Sequence, residues 1–271
     1  MNDAIGTVRS GTDTAVDSGT QTVDRAELEA KVKEIYRRVA QEPRGRYHFE
    51  MGRALAERLG YPPQHLDAVP PGAVESFAGV GYFFDLARLS PGEAVLDLGC
   101  GSGMDLFIAA AAVGPEGRAV GLDMTQEQLQ KAEALRAGFP AASFVFGHIE
   151  DLPFEDASFD CIISNGVINL SPDKAAVFRE AARVLKPGGR LAIADIVSRR
   201  QLAQQIVCNA DLWAACIGGA EQVDTYQQLM TGSGLRLDQM RRNDYGFLSG
   251  SAQAASGKYG VMSLSMLAFR D

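Results

Sequence analysis

Three carboxylates stand where three apolar runs stop. Asp97 lies in "VLDLGCGSGMD" (Val95 to Asp105), Asp123 closes "VGLDM", and Glu150 follows the next run in "GHIEDLPF". Each has a chemistry to offer at a strand end. Asp97 can accept from an amino group, Asp123 from both hydroxyls of a ribose with Met124 beside it as apolar cover for a purine, and Glu150, next to Ile149, from an exocyclic amine. The glycines at 99, 101 and 103 let a ligand approach the backbone closely. Their spacing is G-x-G-x-G. In the dinucleotide fingerprint G-x-G-x-x-G the third glycine would fall on Met104, and the Asp97 carboxylate would repel a pyrophosphate. The motif closes on Asp105, a further acid at the same turn. Any one of these acids alone reads as a solvated loop carboxylate. Three at the ends of consecutive strands, with glycines at the first, point to a cationic ligand without phosphates.

A second group surrounds "ISNGVINLSPDK" (Ile163 to Lys174). An apolar strand stops at Ser164, so Asn165, Gly166 and Val167 fall at its carboxyl end, where open α/β sheets bind ligands. The amide of Asn165 can hold a ligand's amino group or an acceptor, and Gly166 leaves room beside it. Cys216, Asn165 and His48 are the candidate catalytic residues, His48 as a base near neutral pH. Tyr47, Phe83 and Trp213 are candidates for the wall around an acceptor, although a lone Trp is more often core. The cysteines, Cys100, Cys161, Cys208 and Cys216, show no C-x-x-C and signal neither a zinc site nor a disulfide framework. Cys208 and Cys216 would lie about 12 Å apart on a straight helix, so sharing one soft metal atom requires a break near Trp213.

The elements that must position these residues alternate regularly. "AVLDLG", "RAVGLDM", "ASFVFG", "FDCIISN" and "GRLAIADIV" read as strands; "DLFIAAAAVG", "QEQLQKAEALRAG" and "DKAAVFREAARVLK" read as helices between them. Apolar strands separated by amphipathic helices predict a doubly wound α/β fold with a mostly parallel sheet covered on both faces. Residues 1–23 read as a disordered tail and 24–90 as a helical segment over the site. The core spans 91–198, with a C-terminal cap over 199–271. Within the helical segment, Asp24 is a fitting N-cap for "RAELEAKVKEIYRRVA", and a second helix fits "EMGRALAERLG". In the cap, "YGVMSLSMLAFR" alternates like an antiparallel edge strand, and "DYGFLSGSAQAASGKYG" reads as a Gly/Ser-rich surface connection.

A chain of 271 residues with a formal charge of −8 and no long basic run does not look like a nucleic-acid binder, and a small-molecule partner is expected. No apolar run reaches the roughly 18 residues of a membrane span and no signal pattern opens the chain, so it reads as cytoplasmic and without a membrane partner.

The motifs "VLDLGCGSGMD", "GLDMT", "IEDLPFEDASFDCIISN" and "RVLKPGGRLAIADI" resemble those of the class I S-adenosylmethionine-dependent methyltransferases, from about Gly72 to Val197. Within that class the chain is similar to the arsenite methyltransferases in "AVPPGAVESFAGVG", "GLDMTQEQLQKA" and "ISNGVINLSPDKAAVFREAARVLKPGGRLAIADIV". The resemblance implies a Rossmann-like methyltransferase sheet that binds S-adenosylmethionine. Its carboxypropyl end is expected near Asp97, Gly99 and Gly101, its ribose at Asp123, and its adenine near Met124, Ile149 and Glu150. It also implies As(III) as acceptor, with Cys216 as a family cysteine and Cys208 as the second candidate ligand. Where that family carries a cysteine after "SN", this chain has Gly166, and no cysteine precedes Cys100. As(III) is a soft centre held by thiolates, so a small organic nucleophile stands beside it as an alternative acceptor. A cofactor-binding protein without catalysis is the third reading.

Overall fold

The structure, a computed structural model, describes residues 23–271 apart from 215 and 249. The expected tail therefore lies outside the described residues except for Val23, which is buried. Helices α1 (Arg25–Gln41), α2 (Arg53–Leu59), α3 (Pro63–Asp67), α4 (Pro71–Glu75) and α5 (Phe84–Ala87) precede the sheet. Asp24 caps α1 by accepting from the Glu27 amide at 2.9 Å, and Leu28, Val32 and Val39 form its buried stripe. α2 begins at Arg53, later than its pattern suggested, because Gly52 sits at φ +81° and interrupts the run.

Strands β1 (Ala94–Leu98), β2 (Arg118–Asp123), β3 (Ala142–Phe146), β4 (Phe159–Asn165) and β5 (Leu185–Ser198) are parallel, in the order β3-β2-β1-β4-β5. α6 (Met104–Val113), α7 (Gln126–Leu135) and α8 (Lys174–Val184) make the crossovers. The order reverses between β1 and β4, the switch point at which such sheets open a crevice. Neighbouring strand residues serve opposite cores. Val95, Ile163 and Ala192 pack on one face, and Leu96, Ile162 and Leu191 on the other.

After β5 come α9 (Gln204–Val207), α10 (Ala210–Ala214), β6 (Glu221–Gln222), α11 (Val223–Gly232), β7 (Leu235–Arg242), α12 (Gly250–Tyr259) and β8 (Met262–Arg270). Two expectations need correction here. β8 is antiparallel to β5 as expected but is not the edge, since β7 pairs on its far side. β7, "LRLDQMRR", is exposed at most positions and so shows no apolar alternation. The segment read as a surface connection contains α12, whose small residues carry no amphipathic period but bury Ala252 and Ala255. Among the described residues no helix is long and apolar enough to cross a membrane.

Candidate cofactor and acceptor site

A cavity of about 330 Å³ opens at the carboxyl ends of β1, β2 and β4. Its floor is the turn after β1, where Gly99 and Gly101 sit at φ +71° and +53°. A Cβ at Gly99 would lie 2.5 Å from Val167, so both backbone and packing demand glycine there. α1 supplies the roof through Leu28, Val32 and Tyr36, and the segment after α4 adds Phe77, Ala78 and Gly79. The roof is tied down by α7. Gln128 donates to the Tyr36 carbonyl at 2.8 Å while accepting from Ser102 at 2.6 Å, and Lys131 donates to the Ala40 carbonyl and to Ser76 Oγ at 3.2 and 2.8 Å.

Asp97, Asp105, Asp123, Met124, Ile149, Glu150 and Asn165 all line this cavity, as do Gly99 and Gly101. Gly103 does not; it caps α6 at φ +91°, packed toward the Phe107 ring. Asp97 is 2% exposed, and its Oδ2 has no hydrogen-bond partner. Burial first, then the neighbouring Asp105 and Asp123, hold its carboxyl well above the usual range. Asp123 accepts from Gly101 N at 2.9 Å through Oδ2 and from Thr125 N at 2.8 Å through Oδ1. The Thr125 hydroxyl and the Met124 amide also hydrogen-bond to this carboxylate. Glu150 accepts from Ser171 Oγ across the cavity mouth. The wall thus carries Glu29, Asp97, Asp105, Asp123 and Glu150 against one arginine, Arg25, which pairs with Asp173 at 3.7 Å. This field favours a cation and disfavours phosphates. A zwitterionic amino acid on a sulfonium, with ribose and purine attached, matches the orphaned Asp97 oxygen, the Asp123 carboxylate at the end of β2, and the Met124 and Ile149 side chains.

Asn165 is used differently from expectation. Its Oδ1 accepts from Val80 N at 2.7 Å and Gly81 N at 3.3 Å. Its Nδ2 donates to Asp105 Oδ2 at 2.9 Å, to Tyr61 Oη at 3.0 Å and to the Gly81 carbonyl at 3.0 Å. The amide that the sequence offered to a ligand is engaged in pinning residues 77–81 across the end of β4. Tyr61 in turn donates to Asp105 Oδ1 at 2.6 Å. Burial raises Asp105 to about 6, and the Tyr61 and Asn165 bonds oppose that rise.

The proposed catalytic cysteine lies behind the wall. Cys216 is buried, with φ +59° in the left-handed region, and its carbonyl accepts from Asn169 Nδ2 at 3.0 Å. Its thiol is hydrogen-bonded to the hydroxyl of Tyr36, which lines the cavity, and burial pushes it up to about 12. The helix break needed near Trp213 is present, since α9 ends before Cys208 and α10 ends at Ala214. Cys208 Sγ accepts from Gln204 Nε2 at 3.2 Å, and the Cys216 thiol meets Tyr36. His48 lies in the loop after α1, edge-on to Phe49, and Tyr47 donates to the Glu42 carbonyl at 2.8 Å. Phe83 is fully buried core. Trp213 donates to the Val207 carbonyl at 2.5 Å with Lys174 over its ring. None of these four lines the cavity. Sequence reasoning passed over Tyr36, Tyr61, Ser102 and Gln128. Tyr36 was visible only as part of an apolar helical stripe, and the other three carry no local signal.

A family model for the methyltransferase domain matches residues 89–234. The chain belongs to this family: with its sheet order and its glycine turn it is a class I methyltransferase domain, and its cofactor is S-adenosylmethionine. Among its relatives are arsenite methyltransferases. One from Halobacterium salinarum is 39% identical over 191 residues, 70% of this chain and 49% of the relative. Another, from Aquipseudomonas alcaligenes, is 47% identical over 150 residues, 52% of this chain and 43% of the relative. The chain thus spans about half the length of these curated relatives. The crystal structure of an arsenic (III) S-adenosylmethionine methyltransferase from Chlamydomonas reinhardtii superposes with a TM-score of 0.60 at 30% identity, covering 82% of this chain and 74% of that one.

Proposed function

We propose that this chain transfers the methyl group of S-adenosylmethionine to a small acceptor, in the manner of the arsenite methyltransferases it is similar to. The observation that carries the reading is the buried, unpartnered Asp97 oxygen at the head of a glycine-floored, carboxylate-rich cavity. The bound cofactor supplies an already activated methyl group, so the chain needs no nucleophile of its own. Its residues hold the reactants in line and keep water out, and orientation of that kind removes several kcal/mol of barrier. The cofactor residues in this reading are Asp97, Gly99, Gly101, Asp123, Met124, Ile149 and Glu150. A cytoplasmic setting without nucleic acid belongs to the same reading and rests on composition.

As(III) as acceptor rests on the relatives and on Cys216, with added small thiols completing the arsenic shell. A second reading, transfer to a small organic nucleophile, is favoured by one observation. Among the described residues no three His, Cys, Asp or Glu side chains are grouped to hold a metal ion, and Gly166 stands where a thiol would be needed. The test is incubation with methyl-labelled cofactor and either arsenite plus glutathione or a panel of thiols, phenols and amines. Labelled methylarsenic with matching S-adenosylhomocysteine is the expected product. Turnover of an organic acceptor alone selects the second reading, and no S-adenosylhomocysteine with any acceptor removes both.

A further inference from the structure

Asp105 is the acid whose surroundings the cofactor reading leaves unexplained. It stands in the first turn of α6, 6% exposed, and shares the cavity wall with Asp97. Two donors converge on it, Tyr61 Oη on one oxygen and Asn165 Nδ2 on the other. Neither donor is free to turn. Tyr61 is 2% exposed and packed edge-on against Phe77 and Tyr82, with ring centroids 5.2 and 5.0 Å away. The orientation of the Asn165 amide is set by Val80 N and Gly81 N on its oxygen, so its NH₂ must face Asp105 and Tyr61. We propose that Tyr61, together with Asn165, is a positioning residue that holds Asp105 beside Asp97 as the second carboxylate of a two-acid receptor for the cofactor's ammonium group.

This inference rests on S-adenosylmethionine being the ligand and says nothing about the acceptor. The charged and titratable groups facing the pair are Asp123 from the end of β2, Tyr61 and Tyr82 from the N-terminal segment, and Cys100 from the glycine turn. None of them is cationic. Two carboxylates buried together without a cation cannot both ionise easily, so the pair retains a proton near neutral pH. An arriving ammonium replaces that proton, which leaves to solvent, and binding weakens as the pH falls. The Tyr61 hydroxyl bond favours the ionised form of Asp105 and extends tight binding toward acid.

The experiment is calorimetric titration with S-adenosylmethionine at pH 6 and pH 8, on wild type, Tyr61→Phe and Asp105→Asn. Losing the phenol proton raises Asp105 further, so Tyr61→Phe should bind more weakly than wild type at pH 6, by about tenfold, and within about twofold of it at pH 8. Asp105→Asn should bind weakly at both values, with the pH dependence flattened. An equal loss at both pH values in Tyr61→Phe, or an undiminished pH dependence in Asp105→Asn, overturns the proposal. Should Tyr61→Phe fail to fold, as judged by its thermal transition, Asn165→Ser replaces it: removing the other donor to Asp105 should give the same loss at pH 6 and little at pH 8, and an equal loss at both overturns the proposal. If wild type binds no cofactor at either pH, the cofactor reading itself falls and this proposal with it.

Discussion

Gly166 shows how one residue limits what the site can hold. It sits at φ +73°, donates its amide to the Ala194 carbonyl at 2.8 Å, and a Cβ there would lie 3.1 Å from Val80 Cγ1. A left-handed non-glycine residue costs about 1–2 kcal/mol, and Val80 must also give way. Gly166→Cys should therefore lower the unfolding free energy by about 2 kcal/mol in urea, with Val80→Ala recovering only the contact part. An unchanged midpoint would contradict this. The glycine was legible as a departure from the family pattern, but its backbone angle and the facing Val80 were not. Cys216→Ser should abolish any As(III) methylation while leaving cofactor affinity intact, because the thiol touches Tyr36 and Asn169 and lines no part of the cavity. Weakened cofactor binding in that variant would mean that Tyr36 and the roof depend on it. Asp123→Ala should cost roughly 1.5–3 kcal/mol of cofactor binding, and the loss of its Gly101 bond adds looseness in the glycine turn. The strand-end acids were readable because an acid closing an apolar run is conspicuous. Tyr61 was not, since its partner Asp105 lies 44 residues away.

At the scale of elements, the segment joining α4 to α5 depends on side chains for its hydrogen bonds. Val80 N and Gly81 N go to Asn165, the Val80 carbonyl accepts from Ser263 Oγ at 2.6 Å, and the Tyr82 carbonyl accepts from Ser265 Oγ at 2.8 Å. Asn165→Ala leaves two buried amides without an acceptor, at about 1–3 kcal/mol each. Hydrogen exchange should accelerate at Val80 and Gly81 far more than in β1 or β4. Uniform acceleration across the sheet would contradict a local pin. The parallel strands and their crossover helices were legible because each carries its period in a few residues. β7 and α12 were not, one lacking an apolar face and the other a helical stripe. The strap between α4 and α5 fell inside the segment read as helical, because what orders it comes from β4 and β8.

For the molecule as a whole, burying acids on the promise of a cation has a pH signature. Asp105 and Asp195 are both raised to about 6, chiefly by burial, against an ordinary value of 3.8. Between those values the folded chain holds protons that the unfolded chain has released. Stability without cofactor should therefore fall as the pH rises from about 4.5 to 6, by up to roughly 2 kcal/mol for each acid. Glu29, Asp160 and Glu180 are shifted down and act below that window. Saturating S-adenosylmethionine should remove the part due to Asp105 and leave that of Asp195. Urea midpoints measured across the window with and without cofactor would check this, and a rise over the same window would contradict it. Strand-end acids that recognise a cationic cofactor are the centre of the site, and Asp97 is the most exacting place to test their role. Titration of S-adenosylmethionine into wild type and a folded Asp97→Asn variant at pH 8 should give saturable binding in the first and at least about tenfold weaker binding in the second. Equal affinity in the two proteins, or no binding by wild type, would contradict the account.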